Sequence, residues 1–161
     1  MNGQGFSEKQ QVIKHLEESI DWVQSLNQLP EESWRLPIEE GKWSIAEVIR
    51  HLVLWDDFII HKRLPYLFTS QDFPGAPDVE VMNSKAAIQA RDDSKEETVE
   101  LFKQTRSKLL EQLTDIEGIR YGESLSLKSR KESLYDYLKG IMEHDEHHFK
   151  QIKQVINEKD A

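Results

Sequence analysis

The sequence predicts an all-α fold, a four-helix bundle with long inter-helix loops. Three observations carry this expectation. Apolar residues recur at helical spacing in four separate segments. Each segment opens on a serine followed three residues later by an acidic or amide side chain. No stretch between them shows a period-2 strand pattern of useful length.

The first helix is expected over about residues 7–26, with Val12, Leu16, Ile20 and Val23 on one stripe. The second covers about 44–68, with Ile45, Val48, Leu52, Trp55 and Ile59. The third covers about 94–116, with Phe102, Leu109, Leu113 and Ile116. The fourth covers about 133–157, with Leu134, Tyr137, Leu138, Ile141, Ile152 and Val155. Ser7 with Gln10, Ser44 with Glu47, Ser94 with Glu97 and Ser133 with Asp136 can each form a capping box or a close variant, satisfying free backbone N–H groups of the first turn. The connections are long: 27–43 holds Pro30 and Pro37, 69–93 holds Pro74, Gly75 and Pro77, and 117–132 holds Gly118 and Gly122. Loops of this size in a compact domain are usually functional or disordered, and 83–90 could form a short extra helix.

A chain of 161 residues suggests one domain, spanning 1–161, large enough to bury a core without disulfides or a structural metal. Apolar residues make up 37% and charged residues 32% of the chain. That is the balance of a soluble helical protein with charged outer faces. No apolar run is long enough to span a bilayer, and the first residues do not read as a signal peptide. A cytoplasmic location and no membrane partner are therefore expected. There is no cysteine, which excludes disulfides, thiolate ligands and a cysteine nucleophile. The net charge of −9 argues against nucleic acid, whose binding rests on lysine and arginine neutralising phosphates. The small basic patch of Lys128, Arg130 and Lys131 reads as solvated loop.

The most informative segment is His144-Asp145-Glu146-His147-His148. Residues four apart stand one above the other on a helix, so His144 and His148 can aim their rings at one point, a common way for one helix to supply two nitrogen ligands. Such pairs also occur on solvated faces. These two, however, interrupt the apolar stripe of their helix, whereas His147 turns outward. Two core histidines satisfied by neighbouring carboxylates are the alternative. A third nitrogen must come from elsewhere, and His51, His15 and His61 are the candidates. His51 lies about two turns into the second helix, which would bring it level with the pair if the second and fourth helices run antiparallel. His15 borders the first helix's stripe, where a lone histidine is more often structural, and His61 is expected to be exposed.

Two motifs, Trp43-Ser44-x-x-Glu47-x-x-x-His51-Leu52 and Tyr137-Leu138-x-x-Ile141-x-x-His144-Asp145-x-His147-His148-x-x-Gln151-Ile152, resemble those of the DinB/YfiT-like superfamily of small bacterial metalloproteins. With the four-helix pattern the resemblance covers nearly the whole chain, apart from about 69–93. It implies a four-helix bundle with a metal bound by His51, His144 and His148. Relatives in that superfamily look like metal-dependent enzymes. Some are S-transferases that use bacillithiol or mycothiol, one branch isomerises maleylpyruvate, and many have no known reaction. Homodimers are common among them, and DNA binding is not implied.

Three neutral imidazoles leave at least one coordination position open, the arrangement of a catalytic rather than a closed structural site. Zinc or nickel is the expected divalent ion, with iron or manganese also compatible with the ligands. A bound thiol would be deprotonated, giving a thiol S-transferase acting on a small-molecule substrate with a low-molecular-weight thiol. A bound water would give a metal-dependent hydrolase. The third reading is a non-enzymatic dimeric bundle with a structural or vestigial metal. Glu47 and Asp145 could accept a hydrogen bond from a ligand's second nitrogen or act as general base. For Glu47 the capping box is the competing role. Trp43, Trp55 and Tyr137 are expected in the core or in a pocket wall.

Overall fold

The computed structural model describes residues 3–69, 71–75, 77–126 and 131–160. Four long helices form the bundle: α1 (Gly3–Ser25), α3 (Ile45–Lys62), α5 (Lys95–Thr114) and α6 (Leu134–Asp160). A single turn, α2 (Glu31–Trp34), lies in the first connection, and α4 (Val79–Asp92) in the second. Strands β1 (Ser124–Ser126) and β2 (Lys131–Ser133) pair antiparallel before α6, with Leu125 opposite Glu132. No helix among the described residues is long and apolar enough to cross a membrane.

Contacts between the helices fix their directions. Lys9 donates to the Thr114 carbonyl, Arg106 to Ser19, and Lys95 to the Leu29 carbonyl, so α1 and α5 run antiparallel. Tyr135 meets Gln11, Asp145 meets His15 and Phe149 meets Trp22, so α1 and α6 run parallel. His51 meets His148 and Arg63 meets Tyr137, which makes α3 antiparallel to α6, as the sequence required for one ligand level. The long helices therefore run up, down, down, up. Two consecutive "down" helices need a connection that climbs the length of the bundle. Helix α4, with 14 residues packed along α3, makes that climb. At the standard helical rise it covers roughly 21 Å.

Side chains of two apolar clusters fill the bundle. One contains Trp34, Ile45, Ile49, Phe102, Phe149 and Ile152. The other contains Leu16, Ile59, Leu109, Tyr121, Leu134 and Leu138. Burial of these stripes supplies the main drive for association of the helices.

Several boundaries differ from expectation. Ser44 and Ser94 form complete capping boxes with Glu47 and Glu97. At Ser133 the hydroxyl accepts from the Asp136 N–H. Ser7 caps nothing, because α1 already begins at Gly3 and encloses it. Helix α3 stops at Lys62 rather than near residue 68. Pro65 lacks the N–H needed to continue the ladder and disfavours helical geometry at Leu64, so the chain passes into a 3-10 turn, Leu64–Tyr66. The suspected short helix at 83–90 is the central part of the longer α4. The third connection, read as loop, carries the 3-10 turn Gly118–Gly122 and the strand pair. Lys128 and Arg130 lie outside the described residues.

Candidate metal centre

His51 sits two turns into α3, where the Ser44–Glu47 box fixes the helix start and hence its angular position. His144 and His148 project from α6 one turn apart. One nitrogen from each of the three rings lies within 4.8 Å of the others. Ring centroids are 5.5 Å apart for His51–His144 and His51–His148, and 4.7 Å apart for His144–His148. His51 is buried at 5% exposure, His148 is half-buried and His144 is exposed. The cluster is thus anchored inside and open on the α6 side. Helical phase alone places His144 further into the core than this. Trp43 and Trp55 both pack against His51, at 5.1 and 6.2 Å between ring centres.

Hydrogen bonds select which nitrogens face the cluster. His51 Nδ1 lies 2.8 Å from Asn83 Oδ1, and His148 Nδ1 lies 3.0 Å from Gln151 Oε1. A carboxamide oxygen only accepts, so each Nδ1 carries the proton and each Nε2 keeps its lone pair. Burial, then His148 and His144, push His51 down to about 4, and the Asn83 bond only partly opposes this. Burial lowers His144 too, with Asp145 pulling the other way, and burial followed by His144 lowers His148. All three rings are therefore neutral near pH 7, as a nitrogen ligand must be. The donor set, its tautomers and its open side fit a divalent ion with vacant coordination positions.

The other histidines do not join this group of converging nitrogens, although the His147 ring lies 5.5 Å from that of His148. His15 spans from α1 to α6, with Nε2 2.8 Å from Asp145 Oδ2 and Nδ1 3.4 Å from Glu146 Oε1. His61 is exposed beside Asp57, and His147 is exposed on the outer side of α6. Glu47 is held by its cap and faces Arg91 at 3.5 Å; the partner of His51 is Asn83 instead. Asp145 is buried and engaged by Arg106 at 2.6 Å and by His15. Burial alone would raise its carboxyl, but Arg106 outweighs that and holds it below the usual range.

Three participants were not anticipated from the sequence. Asn83 comes from α4, a segment with no recognisable motif. Asp56 and Arg106 form a two-pronged ion pair of 2.7 and 2.8 Å. Burial raises the Asp56 carboxyl and Arg106 opposes the rise. The signal available for both was position: Asp56 lies four residues after Leu52 and three before Ile59, and Arg106 stands likewise between Phe102 and Leu109. Each puts a charge on a core stripe.

Beside the histidines a cavity of about 580 Å³ runs between α3 and α6. Asp56, His144 and Asp145 line its inner end, Trp55, Ile59 and Ile141 its walls, and Arg63 and Tyr137 its far end.

Comparison with known proteins agrees with this architecture. YfiT from Bacillus subtilis, described as a probable metal-dependent hydrolase with an unusual four-helix bundle topology, superposes with a TM-score of 0.75. The two share 14% identity over 94% of this chain and 87% of that one, a likeness that establishes the fold. No curated protein sequence matches the chain significantly. A sequence profile of the DinB superfamily matches residues 11–152, from within α1 to within α6 and through all three clustered histidines, and the chain belongs to that superfamily.

Proposed function

We propose that the chain is a metal-dependent enzyme that holds one divalent ion through His51, His144 and His148. The carrying observation is the convergence of three neutral imidazoles, two with their Nε2 lone pairs set by hydrogen bonds, with His144 at the inner end of a cavity sized for a small molecule. Zinc or nickel suits three nitrogen ligands best. When bound, such an ion lowers the pKa of a coordinated thiol or water and so supplies a nucleophile at neutral pH. The protein's own groups bind and orient around it. Asp56 and Asp145 are fixed at the inner end of the cavity by Arg106, and Asp56, whose carboxyl burial raises, is the one suited to receive a proton from a reacting group there. Trp43 and Trp55 shield His51 from water.

The leading reaction is transfer of an electrophilic small molecule to a low-molecular-weight thiol. The exposed face of His144 leaves room for a second substrate beside the one in the cavity. Hydrolysis is the second reading, favoured by the description of YfiT.

Metal analysis tests the core of this. Purified protein reconstituted with zinc or nickel is expected to retain about one equivalent after desalting, and His148→Ala to retain far less. Wild-type protein that holds no stoichiometric metal would overturn the proposal. Loss of an electrophile that depends on added thiol supports transfer, and loss at equal rate without thiol supports hydrolysis.

A further inference from the structure

The cavity between α3 and α6 has a layout that names a class of substrate, an inference that rests on the metal-centre reading above. Its inner end meets His144, and its far end is set by Tyr137, seven residues earlier on α6. Seven residues of helix separate the two ends by roughly 10 Å. Between the ends the walls are Trp55 and Ile59 on one side and Ile141 on the other. Gly140 opens the α6 side further. A glycine weakens a helix interior, yet a Cβ built at this one would meet no atom within 4 Å. The missing side chain therefore serves no close helix packing; it leaves space in the cavity.

The far end holds a fixed cation. The Arg63 guanidinium lies 4.6 Å from the centre of the Phe58 ring and 5.1 Å from that of Phe73. Its Nη1 donates to the carbonyls of Lys62 and Pro74 at 2.9 and 2.8 Å, and the side chain also bonds Tyr137. Five N–H donors in a fixed fork leave capacity for a carboxylate after these contacts. Glu132 and Asp136 line the same end, so no general positive field draws anions in. A carboxylate bound at this end therefore lands on Arg63 itself, and the two acids disfavour any further negative charge on the ligand.

We infer that the cavity binds an elongated monocarboxylate with an arene-sized apolar middle. Its reactive end lies at the histidine cluster, its body lies over Gly140 between Trp55 and Ile141, and its carboxylate is on Arg63. The length between the ends and the cavity volume of about 580 Å³ suit one such molecule.

Two probes separate this proposal from the metal reading. Acetohydroxamate reaches only the ion. A benzoic acid with a hydroxamate-bearing two-carbon arm para to its carboxyl reaches the ion, the walls and Arg63. With zinc-loaded protein, calorimetry is expected to show the arene probe binding roughly tenfold to a hundredfold tighter than acetohydroxamate. Gly140→Leu should abolish that advantage while leaving zinc content and acetohydroxamate affinity unchanged, which also shows that the variant is folded. Arg63→Gln should cost the arene probe about tenfold and acetohydroxamate nothing. Equal affinity of the two probes in wild type, a full advantage in Gly140→Leu, or an unchanged arene affinity in Arg63→Gln would each overturn the proposal with the metal reading intact. Failure to take up zinc would overturn both.

Discussion

A histidine offers a metal only the nitrogen that its other partner leaves free. At His51 that partner is Asn83, whose Oδ1 lies 2.8 Å from Nδ1. The bond holds the ring plane and the tautomer together, and it comes from a helix outside the four-helix frame. Asn83→Ala is expected to lower zinc affinity about 10- to 100-fold, the usual cost of removing such a partner, with the fold unchanged. Asn83→Asp, which keeps an acceptor and adds charge, should keep or raise affinity. Competition with a chromophoric chelator measures both, and an Asn83→Ala affinity equal to wild type would remove Asn83 from the site. The contrast with His144 and His148 shows what a sequence can carry. Their four-residue spacing is a helical regularity, legible in the order of residues alone. A single asparagine 32 residues from its partner has no period, and only the path of α4 brings it there.

At the scale of elements, helix starts were more legible than helix ends, and the reason is chemical. An N-terminus exposes N–H groups that a serine and a glutamate can satisfy locally, so Ser44 with Glu47 and Ser94 with Glu97 mark their helices accurately. The same pattern at Ser7 misleads, because nothing in the residues before it stops α1 from extending to Gly3. Ser44→Ala and Ser94→Ala should therefore each destabilise the protein by about 1 kcal/mol in urea unfolding, whereas Ser7→Ala should stay within about 0.5 kcal/mol of wild type. A Ser7→Ala loss as large as the other two would mean that α1 begins later than Gly3. The end of α3 did carry a signal in Pro65, but the apolar residues beyond it, Leu67 and Phe68, continue the pattern past the break. Phe68 instead has a φ of 59° in the turn that follows, off any helix.

Across the whole molecule, one polar layer separates the two apolar clusters, with one residue from each long helix: Ser19 from α1, Asp56 from α3, Arg106 from α5 and Asp145 from α6. Arg106 is at its centre with 0% exposure, and its two carboxylates hold it charged against the cost of burial. Such a layer adds little net stability compared with apolar residues, but breaking it is expensive, because the remaining charges stay buried without a partner. Arg106→Met should cost about 3–5 kcal/mol at pH 7. The triple variant Asp56→Leu, Arg106→Met, Asp145→Leu should recover most of that loss. The sign of the pH dependence follows from the carboxyls. In wild type Asp145 is held below its ordinary value, so its contribution is present above the unfolded pKa and is lost as the pH falls through the folded one. Without the guanidinium, burial drives both carboxyls above their unfolded values, so the native variant takes up protons more readily than its unfolded chain and gains stability on acidification. The gap between wild type and Arg106→Met should therefore narrow from pH 7 towards pH 4, as followed by urea midpoints. A gap that stays constant over that range, or a loss below about 1 kcal/mol at pH 7, would mean that solvent reaches the layer and that it does not bind the four helices as a buried ionic unit.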